Sequence, residues 1–379
     1  MIAGSIVHLR AWSHPPLERR QTVTRRPLRL FLLIVALVVL AGLLPNRASA
    51  GCGTYAPLYT SVIFVGRDSI DFEYGVVAGA GCSPEEIAAN WSYVLLRDGD
   101  VLLRFSYLAE PLLYTDSGLT PGETYTYKWE IWYDNPADTA PPSLYQSATF
   151  SRTLDEVSGI LRRLETVPEG PAPLGYIVIS DGGHLEIQPG AMVTFPTDNP
   201  YEPAVEMEGD GQLTIDGALV TGLSLESNTY DNPATGSVSI SGSVLEDPRL
   251  SIANLVRFEG NVATCTDLQV ATLQNIDIFT DESTGPVVLR DNDLSECKVW
   301  IGWDQAPSDV PITVQDNRIG LLKVSQKYTD RPPYYGAVTI SDNNVDEGAP
   351  MALELGSLYG DFEVSRNRLS SVKVEDWEY

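Results

Sequence analysis

The chain has 379 residues, 43% of them apolar, with 31 Gly, 26 Pro and a formal charge of −26 at pH 7. That is the composition of a folded protein of two or three domains, not of a disordered tail. Residues 1–50 hold seven of the 25 basic residues and a single acid, Glu18, which leaves 18 bases against 50 acids beyond them, a net −32. So acidic a surface excludes nucleic acid and anionic membrane as partners, because binding to either polyanion rests on Lys and Arg.

The Arg-rich N-terminus runs into fifteen residues without a polar side chain, Leu30–Leu44, and then Ala48-Ser49-Ala50. Basic, apolar and small-residue segments in this order form a secretory signal peptide over residues 1–50. The apolar run is shorter than the roughly 20 residues a membrane span needs. An uncleaved leader is one alternative route to a membrane. Lipidation of Cys52 is another, since Ser49-Ala50-Gly51-Cys52 resembles a bacterial lipoprotein box. Either way the chain is expected outside the cell or on its surface. Four Cys follow, at 52, 82, 265 and 297, an even number in a compartment where disulfides persist. Cys52 with Cys82 and Cys265 with Cys297 are the pairings expected. No C-x-x-C occurs and the one His beyond residue 50 is His184, so a zinc site or a His-based triad lacks its parts.

Residues 54–150 carry six short alternating or aromatic-rich segments with turn signals between them, including Asp98-Gly99, the pattern of a β-sandwich. The stretch Tyr114 to Tyr127, with Leu119-Thr120-Pro121-Gly122-Glu123-Thr124-Tyr125 at its centre, resembles the corresponding corner of a fibronectin type III domain. Tyr93–Gly99 resembles the hairpin strand before it. The resemblance implies that Leu119 plugs the core and that the Tyr125 hydroxyl bonds the corner backbone. Trp129 and Trp132 fall on opposite faces of one strand by parity. Residues 151–173 read as a linker or N-terminal cap.

From residue 174 onward a string recurs: apolar-x-apolar-x-(Asp/Arg)-Asn-x-apolar. Its Asn residues are Asn292, Asn317, Asn343 and Asn367, spaced 25, 26 and 24 apart, with weaker copies upstream. Aligning the apolar residue after each turn gives Val193, Leu219, Val244, Val262, Leu294, Ile319, Val345 and Leu369, about eight coils. A repeat of this length with period-two alternation and no helical period is a solenoid of strands. It resembles the right-handed parallel β-helix of the pectate-lyase-like superfold, which implies that the four Asn form an inward ladder. Cys265 and Cys297 lie one coil apart, within reach of a bond, with two stacked buried thiols as the alternative.

Enzymes of that superfold cleave polysaccharides with carboxylate pairs, or with a basic residue and Ca²⁺. The segment Val299-Trp300-Ile301-Gly302-Trp303 matches a pectate lyase string only in part, because Gly302 and Trp303 stand where its last two residues would be. Asp304, Asp309 and Asp330 are the carboxylates near this segment, and Lys298, Lys323 and Lys327 its bases. A polyuronate would be repelled by the charge of −32 unless Ca²⁺ bridged it. Asp291, Asp316 and Asp342 form a column that stays solvated, finds an Arg or takes up Ca²⁺. Trp300 and Trp303, read as facing outward, and Tyr328, Tyr334 and Tyr335 on a nearby insertion suit stacking against sugar faces, unless the insertion simply covers them. The sequence therefore reads as an all-β exported protein, a fibronectin-III-like β-sandwich followed by a right-handed parallel β-helix over 174–379. Its expected role is non-catalytic, contacting a polysaccharide or a surface protein. A β-helix lyase or glycoside hydrolase is the alternative.

Overall fold

The computed structural model describes residues 58–76, 89–106, 112–133, 141–180, 182–196, 203–229, 232–233, 235–265, 276–280, 285–303, 309–325, 334–344, 351–356, 358 and 360–375. Residues 1–50, read as a leader, together with Cys52, Cys82, Asp304, Lys327, Tyr328, Asp330 and Val345 lie outside them.

Seven strands open the fold. These are β1 (Leu58–Val65), β2 (Ser69–Val76), β3 (Trp91–Arg97), β4 (Asp100–Phe105), β5 (Leu112–Ser117), β6 (Thr124–Tyr133) and β7 (Ser143–Thr153). β1, β2 and β5 pair antiparallel, and β4, β3, β6 and β7 form a second antiparallel sheet in that order. Ile70, Phe72, Tyr74, Leu95, Tyr127 and Trp129 fill the space between the sheets, and the rings of Tyr74 and Trp129 meet edge-on at 4.4 Å. Asp98 and Gly99 turn the hairpin with positive φ at both positions (50° and 98°), which tightens two strands with the native twist. At the corner, Leu119 is buried and the Thr120 N–H donates to the Tyr125 hydroxyl at 2.8 Å. Arg97 and the Tyr127 hydroxyl both donate to the buried Asp116, at 2.8 and 2.7 Å. Burial, helped by this bond to a carboxylate, pushes the Tyr127 phenol well above its ordinary range. Trp129 is inside, whereas Trp132 is half-buried on the opposite face and donates its indole N–H to Glu130.

The segment 151–173, expected as a linker or cap, is built into the sheets. It carries the end of β7, then β8 (Val157–Leu161), β9 (Leu164–Val167) and the start of β10 (Gly170–Ile179). β1 pairs antiparallel with β8 at Phe64 and Gly159, and β8 pairs parallel with β10, so one sheet runs from the sandwich into the solenoid. Gly159 has φ +107°, and a Cβ there would lie 2.3 Å from the Ile63 carbonyl oxygen, so only glycine fits this crossing. Phe64 leaves the sandwich to bury in the solenoid core. A polar knot closes the seam. Arg163 donates to Asp71 (2.8 Å), Glu165 (2.7 Å) and Ser69 (2.6 Å), and the Arg67 N–H donates to Glu165 at 3.0 Å. Glu165 is buried, so these bonds supply the partners that a desolvated carboxylate requires.

The solenoid is a parallel β-helix. Nine strands stack in parallel on its first face, from β9 through His184–Ile187, Gln212–Asp216, Val238–Ser241, Leu255–Glu259, Val287–Arg290, Ile312–Gln315 and Val338–Ser341 to Phe362–Ser365. That is one rung more than the eight expected. In the first rung, Glu165 stands at the inward position that Leu185 fills in the next, so the apolar pattern does not announce it. Each rung turns onto a second face and then a third. Inward columns such as Leu250, Ile276, Val299, Leu322 and Leu353 on the third face are all buried. The second face corrects the coil alignment. Leu219, Val244 and Val262 pair in one column with Met192 and point outward, while Val193, Val220, Leu245 and Ala263 fill the core.

Candidate binding surface on the third face

The turn after the first face needs a residue with positive φ. Gly190, Gly217, Gly242 and Gly260 supply it in the early rungs, and Asp291, Asp316, Asp342 and Arg366 (φ 53–58°) in the later ones. Asp and, less readily, Arg tolerate this left-handed geometry, which is why the repeat reads Asp/Arg before Asn. The Asn behind it turns inward. Asn292, Asn317 and Asn343 are buried, and each one's side-chain oxygen accepts from the backbone N–H and the amide of the Asn one rung before it. Asn367 does the same for Asn343. Asn261 belongs to this ladder too, and Ser243 extends it one rung further. The sequence pattern missed Asn261 because Gly260, the better left-handed residue, replaces the Asp or Arg before it.

Above the ladder, Arg366 reaches across one rung to Asp342 with two hydrogen bonds and holds that carboxyl below its ordinary range. Arg318 pairs instead with Asp293, at 2.8 Å. Among the described residues no three His, Cys, Asp or Glu side chains converge as metal ligands. Cys265 and Cys297 are joined by a disulfide between two buried positions, their Cα atoms 5.2 Å apart. It closes the longest coil.

The expected aromatic group divides. Trp303 is fully buried, a correction to its outward reading: alternation runs unbroken through Val299, Ile301 and Trp303, so all three share the inward parity. Tyr334 is fully buried as well and packs on Trp303, with ring centroids 4.9 Å apart. Burial, with Asp309 adding to it, pushes the Tyr334 phenol up. These two rings belong to the core. Tyr335 remains exposed.

Trp300 lies outside, half-buried, with its position fixed on three sides. Its indole N–H donates to the Ser325 carbonyl (3.2 Å) and hydroxyl (3.1 Å). Phe279 meets it edge-on at 5.7 Å. The ring passes so close over Gly302 that a Cβ there would sit 3.0 Å from it. The Lys323 ammonium stands 5.8 Å from the ring centroid, a cation–π distance. In the ladder Trp300 lies between Asp277 on one neighbouring rung and Lys323 on the other, followed by Glu354 and Lys373. The third face thus presents one rigid aromatic plate in a column of charged hydrogen-bonding groups, at rung spacings of about 4.8 Å.

For acid–base chemistry the described carboxylates with a clear shift are Glu130 and Asp342. Both are held low, by Lys128 and Arg366 respectively. A general acid requires the opposite direction.

Neither a family model nor a curated protein matches the chain. Among solved structures, the chain is similar to a Yersinia enterocolitica family 28 exopolygalacturonase. The two share 10% identity at a TM-score of 0.27, over 85% of this chain and 86% of that one. A likeness at that level carries no argument about this chain's site. The parallel β-helix rests on the strand pairing itself.

Proposed function

We propose that the chain is an exported, non-catalytic binding module that holds a glycan, or a glycan-bearing surface protein, against the third face of its β-helix. Its N-terminal sandwich, whose corner sequence resembles that of fibronectin type III, serves as the cap. The observation that carries this reading is Trp300. Its ring is immobilised by Ser325, Phe279 and Gly302 yet keeps part of its surface open. A fixed aromatic plate offers apolar area to a sugar ring at little entropic cost, and the flanking Asp277, Lys323 and Glu354 can bond its hydroxyls. The Cys265–Cys297 bond and the leader-like N-terminus support the exported setting.

The test is a panel of neutral and acidic polysaccharides, assayed together for retention in affinity gels and for release of reducing ends or unsaturated products. Retention without product is expected. Trp300→Ala should weaken it by about 2 kcal/mol, the scale of a binding hot spot, or roughly 30-fold in Kd. Product release would overturn the reading in favour of a lyase or hydrolase. Retention unchanged in W300A would remove the plate from the argument.

A further inference from the structure

A cleft of about 430 Å³ lies at the seam, where three stretches far apart in sequence meet. Arg67 and Asp68 come from the turn between β1 and β2, Pro121 from the sandwich corner, and Leu164, Thr166 and Pro168 from β9 and the residue after it. The walls are fixed without a ligand. The Asp68 carbonyl accepts the Leu119 N–H at 2.8 Å, which ties the turn to the corner, and the bond from the Arg67 N–H to Glu165 ties it to the solenoid. A cleft of this size between two packed units is a usual place for a small ligand.

Most of the charge around it is already committed. Glu165 accepts from the Arg67 N–H with one oxygen and from Arg163 with the other, and Arg163 also bonds Asp71, Ser69 and the Leu164 carbonyl. The Arg67 guanidinium is the exception: among the described residues no hydrogen bond or ion pair engages it. One of its terminal nitrogens is sealed from solvent, so its remaining N–H groups are the ones a ligand can meet. The next residue, Asp68, is exposed.

These two groups select the ligand. Arg67 needs an acceptor and Asp68 a donor, and a hydroxyl is both. A carboxylate or phosphate would serve Arg67 alone. It would also meet Asp68, Glu165 and, behind Arg163, Asp71, three negative charges against the two positive ones. Leu164, 54% exposed, stands with Pro121 and Pro168 as apolar wall for the C–H face of a ring. We propose that the cleft is a site for a neutral sugar residue, whose hydroxyls accept from Arg67 and donate to Asp68. It adds a second site to the glycan-binding reading and makes no use of Trp300.

Glucose and galactose, each beside its own uronate, are the probes, since each pair differs only in a hydroxymethyl against a carboxylate. In NMR titrations the neutral sugars should shift the Leu164 and Thr166 amides with a Kd of about 1 mM, the scale of one ring on one rigid site. The uronates should bind at least about tenfold more weakly. Arg67→Ala should weaken the neutral sugars at least about tenfold with an unchanged thermal transition, because the bond to Glu165 uses its backbone N–H. Asp68→Asn should narrow the gap between sugar and uronate, and Trp300→Ala should leave these shifts as they are. No shift of the two amides at about 50 mM of either neutral sugar overturns the proposal. So does a uronate that binds as tightly as its sugar, or an R67A variant that binds like wild type. Shifts confined to the Trp300 indole N–H overturn it too, while leaving the third-face reading in place.

Discussion

Replacing Asn317 by Ala tests whether the ladder holds the stack together or merely decorates it. The Asn317 oxygen accepts the Asn292 backbone N–H at 3.0 Å and the Asn292 amide at 2.8 Å, and its own amide donates to the Leu289 and Gln315 carbonyls and to Asn343. The site is fully buried, so water cannot take over these roles in place. The Asn292 amide keeps the Phe258 carbonyl for one of its hydrogens. Two donors are then orphaned, the Asn292 N–H and the second amide hydrogen. At about 1–3 kcal/mol each, the loss is about 4 kcal/mol. Asn367→Ala is the control. Asn367 accepts the same pair of donors from Asn343 but is half-buried in the last rung, where water replaces it, and should cost about 1 kcal/mol. Because stacked repeats open locally, hydrogen exchange at the Asn292 amide is the most direct readout, with urea denaturation beside it. N317A should speed that exchange by roughly a thousandfold, the equivalent of about 4 kcal/mol. Equal losses in N317A and N367A would refute the argument that burial, and not the bond itself, sets the magnitude.

Two further outcomes follow from the same geometry. Replacing Cys265 and Cys297 together by Ala should lower stability by about 4 kcal/mol, the loop-closure value for a sequence separation of 32. Calorimetry on the oxidised and double-variant chains measures it, and a loss near zero would mean that packing alone fixes the long coil. The Asp342 carboxyl, held low first by its hydrogen bond to Arg366, should titrate below ordinary aspartates in carbon-detected NMR and return to their range in Arg366→Ala. Since the folded value is the depressed one, whatever stability the pair adds is present above the unfolded pKa. It is lost as pH falls through the folded one.

The fold was legible where side-chain chemistry repeats. The left-handed turn admits Gly, Asp, Asn and few others, so Asp291, Asp316 and Asp342 and the Asn behind each mark the rungs in plain sequence. The corner from Leu119 to Tyr125 was legible for a similar reason, because its hydroxyl bond needs a Tyr at a fixed distance from the turn. The first rung was not. Its inward Glu165 is satisfied by Arg67 and Arg163, and Arg163 is tied in turn to Asp71, 92 residues away, partners that no local pattern can display. Leu219, Val244 and Val262 show another limit. An apolar residue next to a turn is adjacent to the inward position, and one step of register decides which side it faces. The same parity puts Trp300 outside and Trp303, an odd three residues on, in the core. Which surface of the Trp300 ring stays open depends on Gly302 leaving room beneath it, a consequence of contact and not of composition.

The seam at Gly159 gives the molecule a direction. A parallel stack grows by laying each new strand on an edge that already exists, and the first such edge is the hardest to obtain, since a lone strand has nothing to pair with. Here β8 lies against β1, and the sandwich needs no rung of the solenoid to complete its two sheets. Any chain emerges from the ribosome N-terminus first, so this template is in place before the strands that need it. Every later rung can then add to its predecessor in the order in which it appears. The sandwich thus acts as the foundation course of the stack, and the single glycine at the crossing is the keyway through which order of synthesis becomes order of assembly.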